Sequence, residues 1–327
     1  MPLERLTAAA SPIARFGLGL AAVGRPGYIN LGRDEDLPGD RSVDALRART
    51  HELLDAAYSQ GVRYVDTARS YGRAEEFLAE WLATRPDAED VVVGSKWGYT
   101  YIADWRTDAE VHEVKDHSTG TYERQLAETR ALLGARLDLY QIHSVTPGSP
   151  ALTDPALHER LASLAAEGVT IGLSTSGPDQ AEAIRAALAV TVDGEPLFGS
   201  VQATYNLLEP SAGPALAEAR AAGRTVIVKE AMANGRLADP HATGPDTAAL
   251  RETAGAAGVP SDAMALAAVA AQPWADVVLS GAATVVQLTS NLTAADVHLE
   301  PEELDRLLAA AEPPERYWAN RARLAWT

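Results

Sequence analysis

The feature that most constrains this chain is an alternation. A short apolar run rich in β-branched residues is followed by a longer amphipathic stretch, and the pair recurs along the sequence. Such a pattern reads as parallel strands joined by helices, because parallel neighbours need a long crossover between them. Eight runs read as strands: Ile13–Leu18, Arg63–Asp66, Val91–Lys96, Leu139–His143, Thr170–Ser174, Gly199–Ala203, Thr225–Lys229 and Val277–Ser280. The stretches between them carry helix punctuation. Ser42 can cap a helix whose apolar face is Val43, Leu46, Thr50, Leu53, Leu54 and Ala57. Thr119 or Thr121 opens another, with Tyr122, Leu126, Thr129, Leu132 and Leu133 facing inward and Gly134 ending it. Leu157–Glu167 stops at Gly168, and Ser261–Ala271 stops before Pro273.

Eight strand–helix repeats is the count of an α/β fold of the (β/α)8, or TIM-barrel, type. An open doubly wound sheet is the alternative. However, no G-x-G-x-x-G follows an early strand, and Phe16-Gly17-Leu18-Gly19 is only half of it. The 327 residues fit one barrel, and neither an internal repeat nor an interdomain linker interrupts them, so residues 1–327 read as a single domain. Three segments exceed a simple connection: Gly24–Arg41, Gly98–Ser118 and Asn234–Ala257, after strands 1, 3 and 7. In a barrel all three lie on the C-terminal face of the strands, where substrate sites are built. The tail Pro301–Thr327, with Tyr317, Trp318 and Trp326, can reach the same face.

Composition narrows the partners. Hydrophobic residues make up 46% of the chain, enough for a large core. A formal charge of −17 repels nucleic acid and anionic membranes. The absence of cysteine excludes disulfides, thiolate catalysis and cysteine metal sites. Met1 to Ala14 has no basic run followed by an apolar stretch of secretory length, and no segment approaches the ~20 apolar residues of a membrane span. A soluble cytoplasmic protein acting on a small molecule is expected, with its oligomeric state left open.

Three polar residues end three consecutive strands: Asp66, Lys96 and His143. Neighbouring strands lie about 5 Å apart, so these ends converge at the top of the barrel. Tyr71 follows on the loop leaving strand 2, where Gly72 lets the chain turn. Taken singly, each has an ordinary reading: a turn cap, a strand exit into water, a structural histidine, a packed ring. Together they make chemistry. An ammonium beside a phenol stabilises phenolate and lowers its pKa, and a carboxylate offsets the burial of the ammonium. An imidazole can orient a carbonyl oxygen. Such a set can protonate an oxyanion as hydride arrives at carbon.

These residues sit in recognisable motifs. Val65-Asp66-Thr67-Ala68-Arg69-Ser70-Tyr71-Gly72 resembles the D-T-A-x-x-Y-G motif of the aldo-keto reductases. Val93-Gly94-Ser95-Lys96 resembles that family's lysine strand, and Asp138-Leu139-Tyr140-Gln141-Ile142-His143 its histidine strand. The resemblance runs in order from about Arg15 to Leu308. It implies NADP(H)- or NAD(H)-dependent interconversion of a carbonyl and an alcohol, without a metal. Asp66, Tyr71, Lys96 and His143 would form the catalytic set, with Tyr71 as general acid or base.

The resemblance also implies cofactor residues. Ser174 matches the serine of the family's G-x-S-N, while Thr175 replaces its asparagine and brings one hydroxyl where an amide has two functions. Gln202 resembles the third ligand of the nicotinamide carboxamide; the alternative for it is a buried hydrogen bond across the barrel. Gly19 and Leu20 after strand 1, and Lys229, Glu230 and Ala231 after strand 7, complete the nicotinamide end. Ser280-Gly281-Ala282-Ala283-Thr284, with Gln287 and Asn291, resembles the pyrophosphate and adenosine site, where a helix N-terminus suits a phosphate.

Two departures stand out. Lys229 occupies the position where the family usually stacks an aromatic residue on the nicotinamide, and an ammonium there would disfavour the cationic oxidised ring. A Lys229–Glu230 arrangement that turns the charge away is the alternative. Second, no Lys or Arg occurs from Pro273 to Asp305, where the family's NADP(H) users place a cation for the 2′-phosphate; Arg236 is the substitute, and both cofactors stay open. The loop after strand 3 supplies candidate substrate contacts in Trp97, Tyr99 and Trp105, along with Tyr101, His112 and His117. No further ligand pair supports a metal at His112 and His117. Two rival functions remain: a Schiff-base enzyme using Lys96 or Lys229, and a regulatory protein that keeps the cofactor as a sensor.

Overall fold

The computed structural model of the chain describes residues 3, 6, 11–37, 39–238 and 243–327. Most of the N-terminal stretch and residues 239–242 of the loop after strand 7 therefore lie outside the described residues.

The eight anticipated strands close into a parallel barrel. They are β1 (Phe16–Gly19), β2 (Tyr64–Asp66), β3 (Val92–Trp97), β4 (Leu139–Val145), β5 (Thr170–Thr175), β6 (Ser200–Thr204), β7 (Thr225–Lys229) and β8 (Val277–Ser280). Each pairs with its neighbours in sequence, and β8 closes on β1 through Leu18↔Ser280. The strand ends were legible to within one to three residues. The largest error is at β1, where Pro12–Arg15 forms a 3-10 turn instead of strand. Proline fixes φ and offers no N–H to a ladder there.

Helices cover the barrel: α1 (Val43–Ser59), α2 (Ala74–Thr84), α3 (Thr119–Leu133), α4 (Pro155–Ala166), α5 (Gln180–Leu188), α6 (Gly213–Ala221), α7 (Ala248–Ala257), α8 (Ser261–Ala270), α9 (Val285–Leu292), α10 (Pro301–Leu308) and α11 (Pro314–Arg321). Helix α1 is as expected: Ser42 accepts from the Ala45 N–H, and Leu46, Thr50, Leu53, Leu54 and Ala57 are buried at helical spacing. Helix α3 corrects two expectations. Its cap is Ser118, not Thr119 or Thr121, and Leu132 is exposed while Gln125 faces inward. Gln125 is held there because its amide accepts from the Gly98 N–H at 2.8 Å and donates to the Tyr99 carbonyl at 2.9 Å. Satisfying two buried backbone groups outweighs burial of one leucine.

The lower barrel interior is filled by Tyr64, Val92, Leu139, Ile227, Val277 and Leu279, with Leu3 and Leu6 packed against them. Tyr64 needs space that only glycine leaves: a Cβ on Gly94 would stand 2.4 Å from its hydroxyl. That hydroxyl points upward and donates to Asp66 Oδ1 at 3.2 Å. The packed floor thus ends in a polar layer directly beneath the strand ends.

The long connections carry structure of their own. The one after β3 contains a hairpin of Tyr99–Tyr101 and Glu113–Lys115. The one after β7, expected as a long connection, contains α7. The tail does return to the barrel top. Thr327 and Tyr28 exchange two backbone hydrogen bonds of 3.1 Å, and the Trp326 ring stacks on His112 with centroids 4.1 Å apart.

Candidate active site

Asp66, Lys96 and His143 leave adjacent strands, and the structure brings all three together with Tyr71. Lys96 is fully buried. Its ammonium is ion-paired with Asp66 Oδ2, donates to the Thr67 carbonyl at 2.9 Å and lies 3.4 Å from the Tyr71 hydroxyl. The other Asp66 oxygen accepts from Gln202 Nε2 at 2.8 Å as well as from Tyr64. Every polar atom of the carboxylate is engaged, which is what a charged group inside a barrel requires. The His143 ring meets Tyr71 edge-on at 5.5 Å between centroids, and it also meets Tyr99 at 5.1 Å.

The loop that presents Tyr71 is clamped from beneath. Gly72 has φ +61°, and a Cβ there would stand 2.5 Å from the Gly24 carbonyl oxygen. Gly24 in turn touches the Tyr71 carbonyl so closely that a Cβ would approach to 2.4 Å. Two glycines back to back let the loops after β1 and β2 interlock. Arg25, beside them, is buried; it donates to the Ser70 carbonyl and pairs with Glu113, each at 2.8 Å, and its guanidinium lies over the rings of Tyr71 and Trp326. Below the loop, buried Glu75 binds Arg69 and accepts from Ser95 and from Thr129 at 2.9 Å. Neither Arg25 nor Glu75 carries a motif that would single it out in sequence.

The electrostatics correct one expectation. Tyr71 is not brought down by Lys96. Burial pushes its phenol well above the ordinary tyrosine value, the Asp66 carboxylate adds to this, and Arg25 opposes it. Lys96 is paired with Asp66, and its ammonium does not offset the cost of taking a phenolate out of water at this buried position. Tyr71 therefore holds its proton and is poised as an acid. His143 moves well below its ordinary value, through burial first and then the charges of Lys96, Lys229 and Arg25. It is a neutral imidazole at physiological pH. Its backbone carbonyl accepts from His117, whose other ring nitrogen meets Ser149 at 2.6 Å.

A cleft of about 660 Å³ opens beside Tyr71, lined among others by Gly19, Gln202, Lys229, Ala231, Ser280 and Gly281. It runs on into a second space of about 710 Å³, which shares Asn30, Met232, Gly235 and Gly281 with it and also carries Ala283, Gln287 and Asn291. The shape suits an extended dinucleotide. Two details agree with one: Gln202 Oε1 is buried without a partner, and nothing lies within 4 Å of where a Gly281 Cβ would project. The expected cross-barrel hydrogen bond of Gln202 exists too, but it uses only the amide nitrogen, leaving the oxygen for a carboxamide donor.

Other anticipated cofactor residues stand differently. Ser174 is fully buried, its hydroxyl accepting from the Ser144 N–H at 2.8 Å. Thr175 faces Gln180 on α5, because alternate residues of a strand point to opposite sides. Leu20 is buried and contributes its N–H to the Asp66 carbonyl at 2.9 Å. At the N-terminus of α9, the Ala283 N–H is occupied by Gln287 Oε1 at 2.9 Å, and that of Ala282 by Ser280 Oγ at 3.3 Å. A pyrophosphate there must displace both. Arg236 does not line the cleft; it pairs with buried Glu312. Among the substrate candidates, Tyr99 abuts His143, while Trp97 is buried against Tyr122 and His117 and Trp105 donates to the Arg41 carbonyl at 2.8 Å. Trp97 and Trp105 thus hold the loop together.

Lys229 is half-buried and donates to Thr204 Oγ1 at 2.8 Å; burial brings its ammonium down to about 8. Glu230, at φ +56°, turns its carboxylate away from a simple pair with Lys229 and onto Arg321 of α11, with hydrogen bonds from Nε at 2.9 and 3.1 Å. Arg321 and Lys229 together hold that carboxyl at about 2, against the effect of burial. A group lowered from 4.5 to about 2 stabilises the fold above pH 4.5 and loses that contribution as pH falls. Glu230→Gln is therefore expected to be less stable than the wild type at pH 7, with the difference shrinking as pH falls below 4.5. Urea unfolding across that range checks it.

A carboxylate, phenol, ammonium and imidazole at the C-terminal ends of a closed (β/α)8 barrel, beside a dinucleotide-shaped cleft, define a class of scaffold. The chain belongs to the aldo/keto reductase family, whose model matches residues 37–312. It is 28% identical over 196 residues to aldo-keto reductase str7 of Strobilurus tenacellus, covering 58% of this chain and 50% of that protein. It is 30% identical over 110 residues to norsolorinic acid reductase B of Aspergillus parasiticus, covering 32% and 28%. The matches span half or less of these relatives' length. In fold, the chain is similar to glycerol dehydrogenase AKR11B4 of Gluconobacter oxydans (TM-score 0.69, 21% identity) and to the holo form of AKR11C1 of Bacillus halodurans (TM-score 0.65, 21% identity). Each of these alignments covers 91% of this chain and 92% of the other. Among the described residues, no helix is long and apolar enough to cross a membrane.

Proposed function

We propose that the protein reduces an aldehyde or ketone with a reduced nicotinamide dinucleotide, or runs the reverse reaction, with Tyr71 as the proton donor. The observation that carries this reading is the buried Lys96 ammonium held between Asp66 and the Tyr71 hydroxyl at the inner end of the cleft. When bound, the dinucleotide supplies or accepts a hydride. The residues do the rest. A substrate carbonyl lies between His143 and Tyr71, the neutral imidazole donating a hydrogen bond to its oxygen. As the carbonyl carbon gains hydride, the oxygen gains a charge and takes the Tyr71 proton. The phenolate that forms faces Lys96, so Tyr71 is stabilised at the moment its charge appears. Tyr28 and Trp326, over Arg25, limit water above the site.

The test is titration with NADH and NADPH, followed by a panel of aldehydes and ketones read by loss of the reduced nicotinamide. Turnover that depends on the carbonyl supports the reading. A dinucleotide bound with no turnover across the panel favours a sensor instead. Lys229 sustains one other reading. It lines the cleft and titrates at about 8, as an amine nucleophile would. Borohydride trapping of a carbonyl compound on Lys229, abolished in Lys229→Met, would establish it.

A further inference from the structure

We propose that the distal end of the cleft selects a dinucleotide whose adenosine ribose carries a free 2′-hydroxyl, NAD(H) over NADP(H), through Asp262 and its acidic neighbours. The inference rests on the dinucleotide reading above and concerns the cleft's outer half. That half is lined by three carboxylates, Glu35, Asp36 and Asp262, and by no Lys or Arg among the described side chains. The sequence supplies no Lys or Arg from Pro273 to Asp305, and Arg236 is committed to Glu312.

Asp262 gives the independent observation. It is 8% exposed, and its Oδ1 has no hydrogen-bond partner. Its Oδ2 accepts from the Asn291 amide at 2.8 Å once that amide is oriented to satisfy Ser280 as well. Leaving a buried carboxylate oxygen unpaired is costly, and the cost is removed only by a donor. A ribose hydroxyl or an adenine amino group is a donor. A 2′-phosphate carries about −1.5 to −2 charge and offers acceptor oxygens alone. Placed among three carboxylates it meets repulsion, with no guanidinium or ammonium among the described lining side chains to compensate. Glu35 is exposed, so its share of that repulsion is screened by salt, whereas the share of Asp262 is screened less.

The experiment is equilibrium titration of the full chain, by tryptophan fluorescence, with NADH, NADPH, ADP-ribose and 2′-phospho-ADP-ribose at low and high salt. NADH and ADP-ribose are expected to bind at least about tenfold tighter than their 2′-phosphorylated counterparts, with the gap narrowing as salt rises. Glu35→Gln should tighten NADPH by a larger factor than NADH, which lacks the third phosphate. Asp262→Asn should weaken NADH and tighten NADPH together. Equal or tighter binding of NADPH by the wild type overturns the selection while leaving the reductase reading intact. Unchanged affinities in Asp262→Asn overturn the role of Asp262. Failure of every one of these ligands to bind overturns both.

Discussion

Tyr71→Phe is expected to lower kcat for carbonyl reduction by about 10²–10⁴-fold, the usual worth of a positioned general acid. Dinucleotide affinity should stay within about twofold, since the ring keeps its contacts and only the hydroxyl is lost. The ring's neighbours make the substitution a clean one. Arg25 lies over its face, His143 meets it edge-on, and the Gly24–Gly72 contact fixes its backbone. None of these uses the phenol oxygen. The wild type carries a further signature. Because burial and Asp66 hold the phenol above its ordinary value, reduction should stay flat with rising pH where alcohol oxidation, which needs the proton removed first, is still climbing. Near-normal kcat in the Phe variant would end the assignment of Tyr71.

Lys96→Met should do two kinds of damage at once. Turnover falls because the phenolate formed at Tyr71 loses the ammonium 3.4 Å away. Stability falls by about 3–5 kcal/mol, because Asp66, 2% exposed, is left as a buried charge without its partner. The two effects separate in a cycle. Asp66→Asn in the Lys96→Met background should recover much of the stability and none of the activity. Urea unfolding measures the first and steady-state kinetics the second. If Lys96→Met is as stable as the wild type, the ion pair does not carry the burial of either residue.

The barrel and the four converging side chains were legible because both are written locally. Strand runs of four to six residues, three of them ending in Asp66, Lys96 and His143, give the order of elements, and closure then fixes which ends are neighbours. What stayed hidden depends on pairings across long separations. Nothing around Glu75 distinguishes it from a surface helix residue until Arg69, Ser95 and Thr129 surround it. Arg236 was a sound candidate for a phosphate from its position in the chain, yet Glu312, 76 residues on, claims it. Likewise, a lysine beside a tyrosine reads as a lowered phenol; that burial of the ring outweighs the lysine depends on what encloses it. Thr175 and Trp97 show the same limit on a smaller scale, each turned from the cavity by strand alternation or loop packing.

The roof over the proposed substrate space is a composite. Tyr28 comes from the connection after β1, His112 from the one after β3, and Trp326 from the tail; both other rings lean on Trp326, and a short backbone ladder ties Tyr28 to the tail. A specificity set by this roof is therefore not modular. Grafting one of the three segments from a relative would strand an indole or an imidazole without its counterpart, so lineages that diverge in substrate should exchange all three as a set, and library designs aimed at new substrates should vary them jointly.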